Sequence, residues 1–296
     1  MNKQDGKGIK ALSALGLIIT TIIWGSAFVV MKHSVEVITP AYLLALRFTI
    51  ASAGLVAVFW KRVRRIRKTD VMCGGLLGVF LFISYLFQTY GLKYTTASKN
   101  AFITTLYVIL VPFLHWFYNK KRPFRNNVAA AAIAVLGLAL LSLEGDLSVN
   151  TGDLMTLVCG FFFAFHIVFI DRYTEDHDPI VLTVIQMVVA AILSWAMAFP
   201  LEGSFDFKVI DPSMMTSLLY LGIFSTMLCF LFQNVGQKHL SPNTSSIILS
   251  FEAVFGLGFS VIFLEEPVTL KLAAGCALMF ASVILSEYKR KVSGKS

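Results

Sequence analysis

Ten apolar runs, each about the 20 residues that span a bilayer as one helix, leave this chain few ways to fold. They lie at 11–31, 40–60, 71–92, 97–118, 127–143, 153–171, 179–199, 213–236, 242–264 and 268–286, and short connections leave no room for a soluble domain. The sequence therefore predicts an all-α integral membrane protein of ten transmembrane helices. Only 14% of its 296 residues are charged, against about 25% in a soluble domain. The net charge of +8 would suit nucleic acid, but the basic residues sit between the apolar runs, so the bilayer is the partner they imply. Lys3, Lys7 and Lys10 precede a run too long for a signal peptide, which reads instead as a first span. Cys73, Cys159, Cys229 and Cys276 lie inside apolar runs without metal-ligand spacing and read as reduced thiols.

Orientation follows from Lys and Arg. With the N-terminus inside, the cytoplasmic segments hold Lys61, Arg62, Arg64, Arg65, Arg67 and Lys68, then Lys120, Lys121, Arg122 and Arg125, and a basic tail from Lys289. The opposite face mixes a few lysines with Glu144, Asp146, Glu202, Asp206, Glu265 and Glu266. Both termini are thus expected in the cytoplasm, with the chain in the plasma membrane of a prokaryotic cell.

The sequence also repeats itself. Leu86-Phe87-Gln88-Thr89-Tyr90-Gly91-Leu92-Lys93 returns as Leu231-Phe232-Gln233-Asn234-Val235-Gly236-Gln237-Lys238. Trp24-Gly25 and Phe28 align with Cys159-Gly160 and Phe163, Pro40 and Arg47 with Pro179 and Gln186, and Gly137-Leu138-Ala139-Leu140 with Gly275-Cys276-Ala277-Leu278. Each half, 11–143 and 153–287, holds five spans. An odd number turns the second copy upside down, so two inverted five-helix repeats are expected, with a binding site near the midplane where they meet.

In this order along ten spans, Trp24-Gly25-Ser26 with Phe28, Pro40 with Ala45-Leu46-Arg47-Phe48, Tyr90-Gly91-Leu92-Lys93-Tyr94, Ser98-Lys99-Asn100-Ala101, Pro112, Glu252 and Glu265-Glu266-Pro267 resemble the drug/metabolite transporter superfamily, EamA-like branch. Cys159 stands where the second copy often has Trp, and Leu257 where Pro often follows the Glu. The resemblance covers about residues 11–287 and implies a central cavity and export of small metabolites, often amino acids.

Polar residues inside spans are the candidates for substrate binding. Arg47, about 10 Å below the outer face by helical rise from Pro40, suits a substrate carboxylate or a structural ion pair. Trp24 lies at similar depth, as an aromatic wall or ordinary packing. Glu252, near the middle of span nine with Tyr107 as its repeat counterpart, suits an amine, a carried proton or a helix-locking hydrogen bond; facing Arg47, it would neutralise it. Gln88 and Gln233 are expected near opposite faces, as gates or backbone partners, and Gln186 is similar. His166 is a candidate titrating group or a structural histidine. Asn100 faces the cavity or caps a helix, Tyr85 adds a wet aromatic surface, and Phe161 to Phe165 are expected mostly in lipid or packed.

No Walker loop, HExxH or GxSxG is present, and no cofactor is implied. The reading is a secondary transporter, not an enzyme, exporting amino acids or related amphipathic metabolites by alternating access, with protons as the candidate coupling ion. An exchanger of phosphorylated or sugar-like metabolites and a membrane-embedded enzyme stay as alternatives, and a homodimer stays open.

Overall fold

The computed structural model describes residues 3–119, 125–142 and 150–287. Among the described residues ten long helices follow in order: α1 Lys3–Val37, α2 Pro40–Val58, α3 Lys68–Tyr94, α4 Ala97–Phe117, α5 Arg125–Ser142, α6 Thr151–Thr174, α7 Pro179–Glu202, α8 Pro212–Gln237, α9 Pro242–Phe263 and α10 Leu270–Glu287. Among the described residues there is no strand, and eight of these helices are long and apolar enough to cross a membrane. α5 and α10 contribute shorter apolar stretches, Val128–Leu140 and Leu270–Ser282. The molecule is an all-α, multi-pass membrane protein.

The helices begin where local chemistry starts them. Proline opens α2, α7, α8 and α9, where its missing N–H costs nothing. Side chains of Asn150, Asp178, Asp211 and Ser241 accept from free amides of the following turn. α1 runs past the expected end at 31. Lys32 donates to the carbonyls of Leu92 (2.9 Å) and Thr95 (2.8 Å), so its ammonium caps a neighbour instead of ending its own helix.

Three helices are irregular. α4 breaks at Thr105–Leu106 and restarts at Tyr107; α9 breaks at Phe251 and restarts at Glu252. At each break a hydroxyl turns back onto its own helix, Thr105 to the Phe102 carbonyl and Ser250 to that of Ile247, both at 2.7 Å. α8 carries a π-helical stretch over Tyr220–Leu228.

Packing exchanges the halves. α1 lies against α8 and α9, and α6 against α3 and α4; α2 contacts α7 and α8, and α7 contacts α2 and α3. α5 and α10 pack on each other, where Gly137 closes on Met279 and the Gly275 carbonyl. Gly256 likewise closes on Ala101, while Gly258 of the same GxG has open space beside it.

One end of the bundle is tied by carboxylates capping helices. Glu202 accepts from the Ala41 and Tyr42 amides and from Tyr90 (2.5 Å). Glu266 accepts from the Ala97 and Ser98 amides and the Ser98 hydroxyl. Its approach uses a left-handed turn at Glu265, φ 52°. Asp153 takes the Thr95 hydroxyl at 2.5 Å and pairs with Lys99 at 3.6 Å. At the other end Asp70 binds Arg67 and His177, and Arg62 pairs with Asp178.

Candidate functional site

A narrow cavity of about 20 Å³ lies where both halves meet. Its wall is built from the two broken helices and five others. α2 supplies Arg47; α1 supplies Trp24, Ala27, Phe28 and Met31; α3 supplies Tyr85 and Gln88. The breaks deliver Tyr107 and, across from it, Leu249 and Glu252. α6 adds Phe163 and Ile167, and α8 adds Ser225 and Gln233.

Arg47 is 1% exposed, yet among the described residues no carboxylate pairs with it within 4 Å. Its Nε donates to Thr226 Oγ1 at 2.9 Å, Nη2 to Ser225 Oγ at 3.2 Å, and Nη1 to Met31 Sδ at 3.1 Å. The guanidinium carbon stands 4.6 Å from the centre of the Tyr85 ring, a cation–π contact that holds charge in an apolar place. A guanidinium brings five N–H donors. Three are engaged, which leaves two N–H groups beside the Tyr85 side chain, donors that a carboxylate can accept.

Glu252, 3% exposed, receives a hydrogen bond from the Tyr107 hydroxyl at 3.2 Å, and no described cation lies within 4 Å of it. The mutual neutralisation considered for Arg47 and Glu252 does not occur: they share the cavity without an ion pair. Among the described residues each meets neutral donors and acceptors alone.

Gln88 and Gln233, expected near opposite faces, reach the same cavity. Position along a helix measures depth on that helix, whereas α3 and α8 both pass the centre of the bundle. Gln88 donates to Thr104 Oγ1 at 3.2 Å. The Gln233 carbonyl oxygen is buried with no partner, an acceptor left open in the cavity wall. Trp24 donates to the Ser225 carbonyl at 2.8 Å and tilts against Phe230.

Three candidates stand off the cavity. Asn100 donates to the Gln88 carbonyl and to Thr156, tying α4 to α3 and α6. His166 and Gln186 bond each other, Nε2 to Oε1, at 3.0 Å, joining α6 to α7. A polar side chain in a span avoids hydrocarbon either by facing a cavity or by meeting another polar group, and these three take the second course. Phe163 corrects the expectation for its run: it lines the cavity, while Phe161 is exposed. Sequence reasoning missed Phe28, Met31, Ser225 and Thr226, which are ordinary residues in any span. Cys159, Cys229 and Cys276 are buried thiols, and among the described residues no group of His, Cys, Asp and Glu could hold a metal ion.

The comparisons agree with this architecture. A solved protein structure shares the fold with a TM-score of 0.70 at 20% identity, covering 94% of this chain and 96% of its own. An uncharacterized transporter of Archaeoglobus fulgidus is 32% identical over 96% of this chain and 89% of its own length. The uncharacterized transporter YvbV of Bacillus subtilis is 27% identical, covering 95% and 93%. A probable amino-acid metabolite efflux pump of Salmonella typhimurium is 24% identical, covering 99% and 97%. The profile of the EamA-like transporter family matches twice, over residues 11–143 and 150–288, and the chain belongs to that family.

Proposed function

We propose that the protein exports amino acids with apolar side chains, binding the zwitterion between Arg47 and Glu252. The observation that carries this reading is a buried guanidinium with no carboxylate paired to it among the described residues, in one cavity with a carboxyl group that has no cation. A substrate carboxylate completes the first and an ammonium completes the second, with the open Gln233 oxygen as a further ammonium acceptor. Trp24, Phe28, Phe163, Ile167 and Leu249 offer an apolar wall for the side chain. Similarity to a probable amino-acid metabolite efflux pump supports the substrate class and the direction.

In this reading the two halves are inverted copies that rock about the cavity, which faces each side in turn. The reciprocal packing and the paired helix breaks support that arrangement, and the Lys/Arg distribution supports cytoplasmic termini in the plasma membrane.

Transport by purified protein in vesicles tests the reading, with labelled phenylalanine, phenylalaninamide and phenethylamine as probes. The wild type should prefer phenylalanine over both probes that lack its carboxylate. Arg47→Lys keeps the charge but loses the planar fork, so it should weaken phenylalanine transport about 10–100-fold, the value of one charge-assisted hydrogen bond at about 1.5–3 kcal/mol. A folded Arg47→Gln protein that retains the preference refutes the carboxylate site.

A further inference from the structure

The π-helical stretch of α8 has a counterpart in α3 that is plain α-helix, and the difference is one residue. Gly78 and Gly222 mark the same place in the two halves. A Cβ on Gly78 would sit 2.7 Å from Val189 Cβ and 2.8 Å from the Gln186 carbonyl oxygen; on Gly222 it would sit 2.7 Å from Ile50 Cβ and 3.3 Å from the Arg47 carbonyl oxygen. Gln186 and Val189 are the repeat counterparts of Arg47 and Ile50. From Gly78 the chain reaches Gln88, and from Gly222 it reaches Gln233 with one residue more. An extra residue would turn everything beyond it by about 100° in an α-helix. The widened π turns of Tyr220–Leu228 absorb it, and both glutamines still line the same cavity.

Ser225 and Thr226 lie within that stretch, and they hold Arg47. Thr226 Oγ1 donates to the carbonyl five residues back, Leu221, at 2.7 Å, which aims its lone pairs at Arg47 Nε. Ser225 takes Arg47 Nη2 on its hydroxyl and the Trp24 ring N–H on its carbonyl. α3 has no such insertion, and Gln186, which stands in place of Arg47, bonds His166 of α6 instead. The geometry points to a one-residue insertion in α8 that builds the seat of Arg47, with Ser225 and Thr226 as the positioning residues that set affinity for the carboxylate end of the substrate. This rests on Arg47 as the carboxylate site.

The test compares wild type, Ser225→Ala, Thr226→Val, Thr226→Ser and Arg47→Gln in vesicles, with KM and kcat for labelled phenylalanine and phenylalaninamide. Thr226→Val and Ser225→Ala should raise KM for phenylalanine about tenfold, as loss of one such hydrogen bond does, with kcat largely kept. KM for the amide should stay within about twofold, and Thr226→Ser should recover most of the loss. An unchanged KM for phenylalanine in Thr226→Val overturns the inference, and so does a rise shared by both probes, which marks a packing effect. If Arg47→Gln loses discrimination while Thr226→Val keeps it, only the seat is wrong. If Arg47→Gln keeps discrimination, or the wild type transports neither probe, the carboxylate site falls and takes the seat with it.

Discussion

Tyr107 and Glu252 each open the second half of a broken helix, and their hydrogen bond joins the two breaks. Removing the hydroxyl with Tyr107→Phe leaves a buried carboxylate short of a donor, at a cost of about 1–3 kcal/mol. The loss should vanish in a Glu252→Leu background, which has no acceptor, giving a coupling energy of about 0.5–3 kcal/mol in thermal unfolding of the detergent-solubilised protein. Additive effects would deny the bond. The repeat made Tyr107 and Glu252 counterparts in the sequence, and their hydrogen bond is what the structure adds. The seat of Arg47 was not legible there, because Ser225 and Thr226 look like any small hydroxyls in a span; only the extra residue between Gly222 and Gln233 marks them. His166, Gln186 and Asn100 were left between two readings for a related reason: a sequence shows that a side chain is polar but not whether its partner is a ligand or another helix.

At the level of helices, close crossings are made by glycine. A Cβ at Gly25 would lie 2.5 Å from Phe255 Cβ and 2.9 Å from the Gly256 amide, where α1 meets α9. Gly25→Ala should therefore destabilise by about 1–3 kcal/mol through overpacking, despite the helix propensity it gains. Gly75 sits on α3 with nothing within 4 Å. Gly75→Ala should be neutral or stabilise by up to about 1 kcal/mol. Thermal unfolding of both variants checks the contrast, and equal effects would contradict the packing. The apolar runs placed the helices because hydrocarbon tolerates little else. The breaks in α4 and α9 escaped notice because neither proline nor glycine stands at Thr105, Leu106 or Phe251 to mark them.

For the whole molecule, the distribution of basic residues sets a sidedness that can be read in intact cells. In a background without native cysteines, Arg65→Cys should resist an impermeant thiol reagent, whereas Lys208→Cys, exposed between α7 and α8, should react. Labelling at position 65 from outside would invert the topology. The reciprocal packing carries a further expectation: α5 and α10, which embrace each other away from the cavity wall, should tolerate apolar substitutions on their exposed faces, such as Leu136→Val, without change in KM.

A lone arginine and a lone glutamate in one cavity also decide how the carrier meets the membrane voltage. If the proposed zwitterion site holds both residues ionised, the empty site sums to zero charge and the substrate adds none, so neither the loaded nor the returning carrier would work against the field. Each unbalanced charge would instead meet about 2.3 kcal/mol per 100 mV. Glu252→Gln leaves the arginine unbalanced. Exchange of labelled phenylalanine across vesicles held at potassium diffusion potentials should be flat with voltage in the wild type and slope with it in Glu252→Gln, making the glutamate a counterweight as much as a ligand.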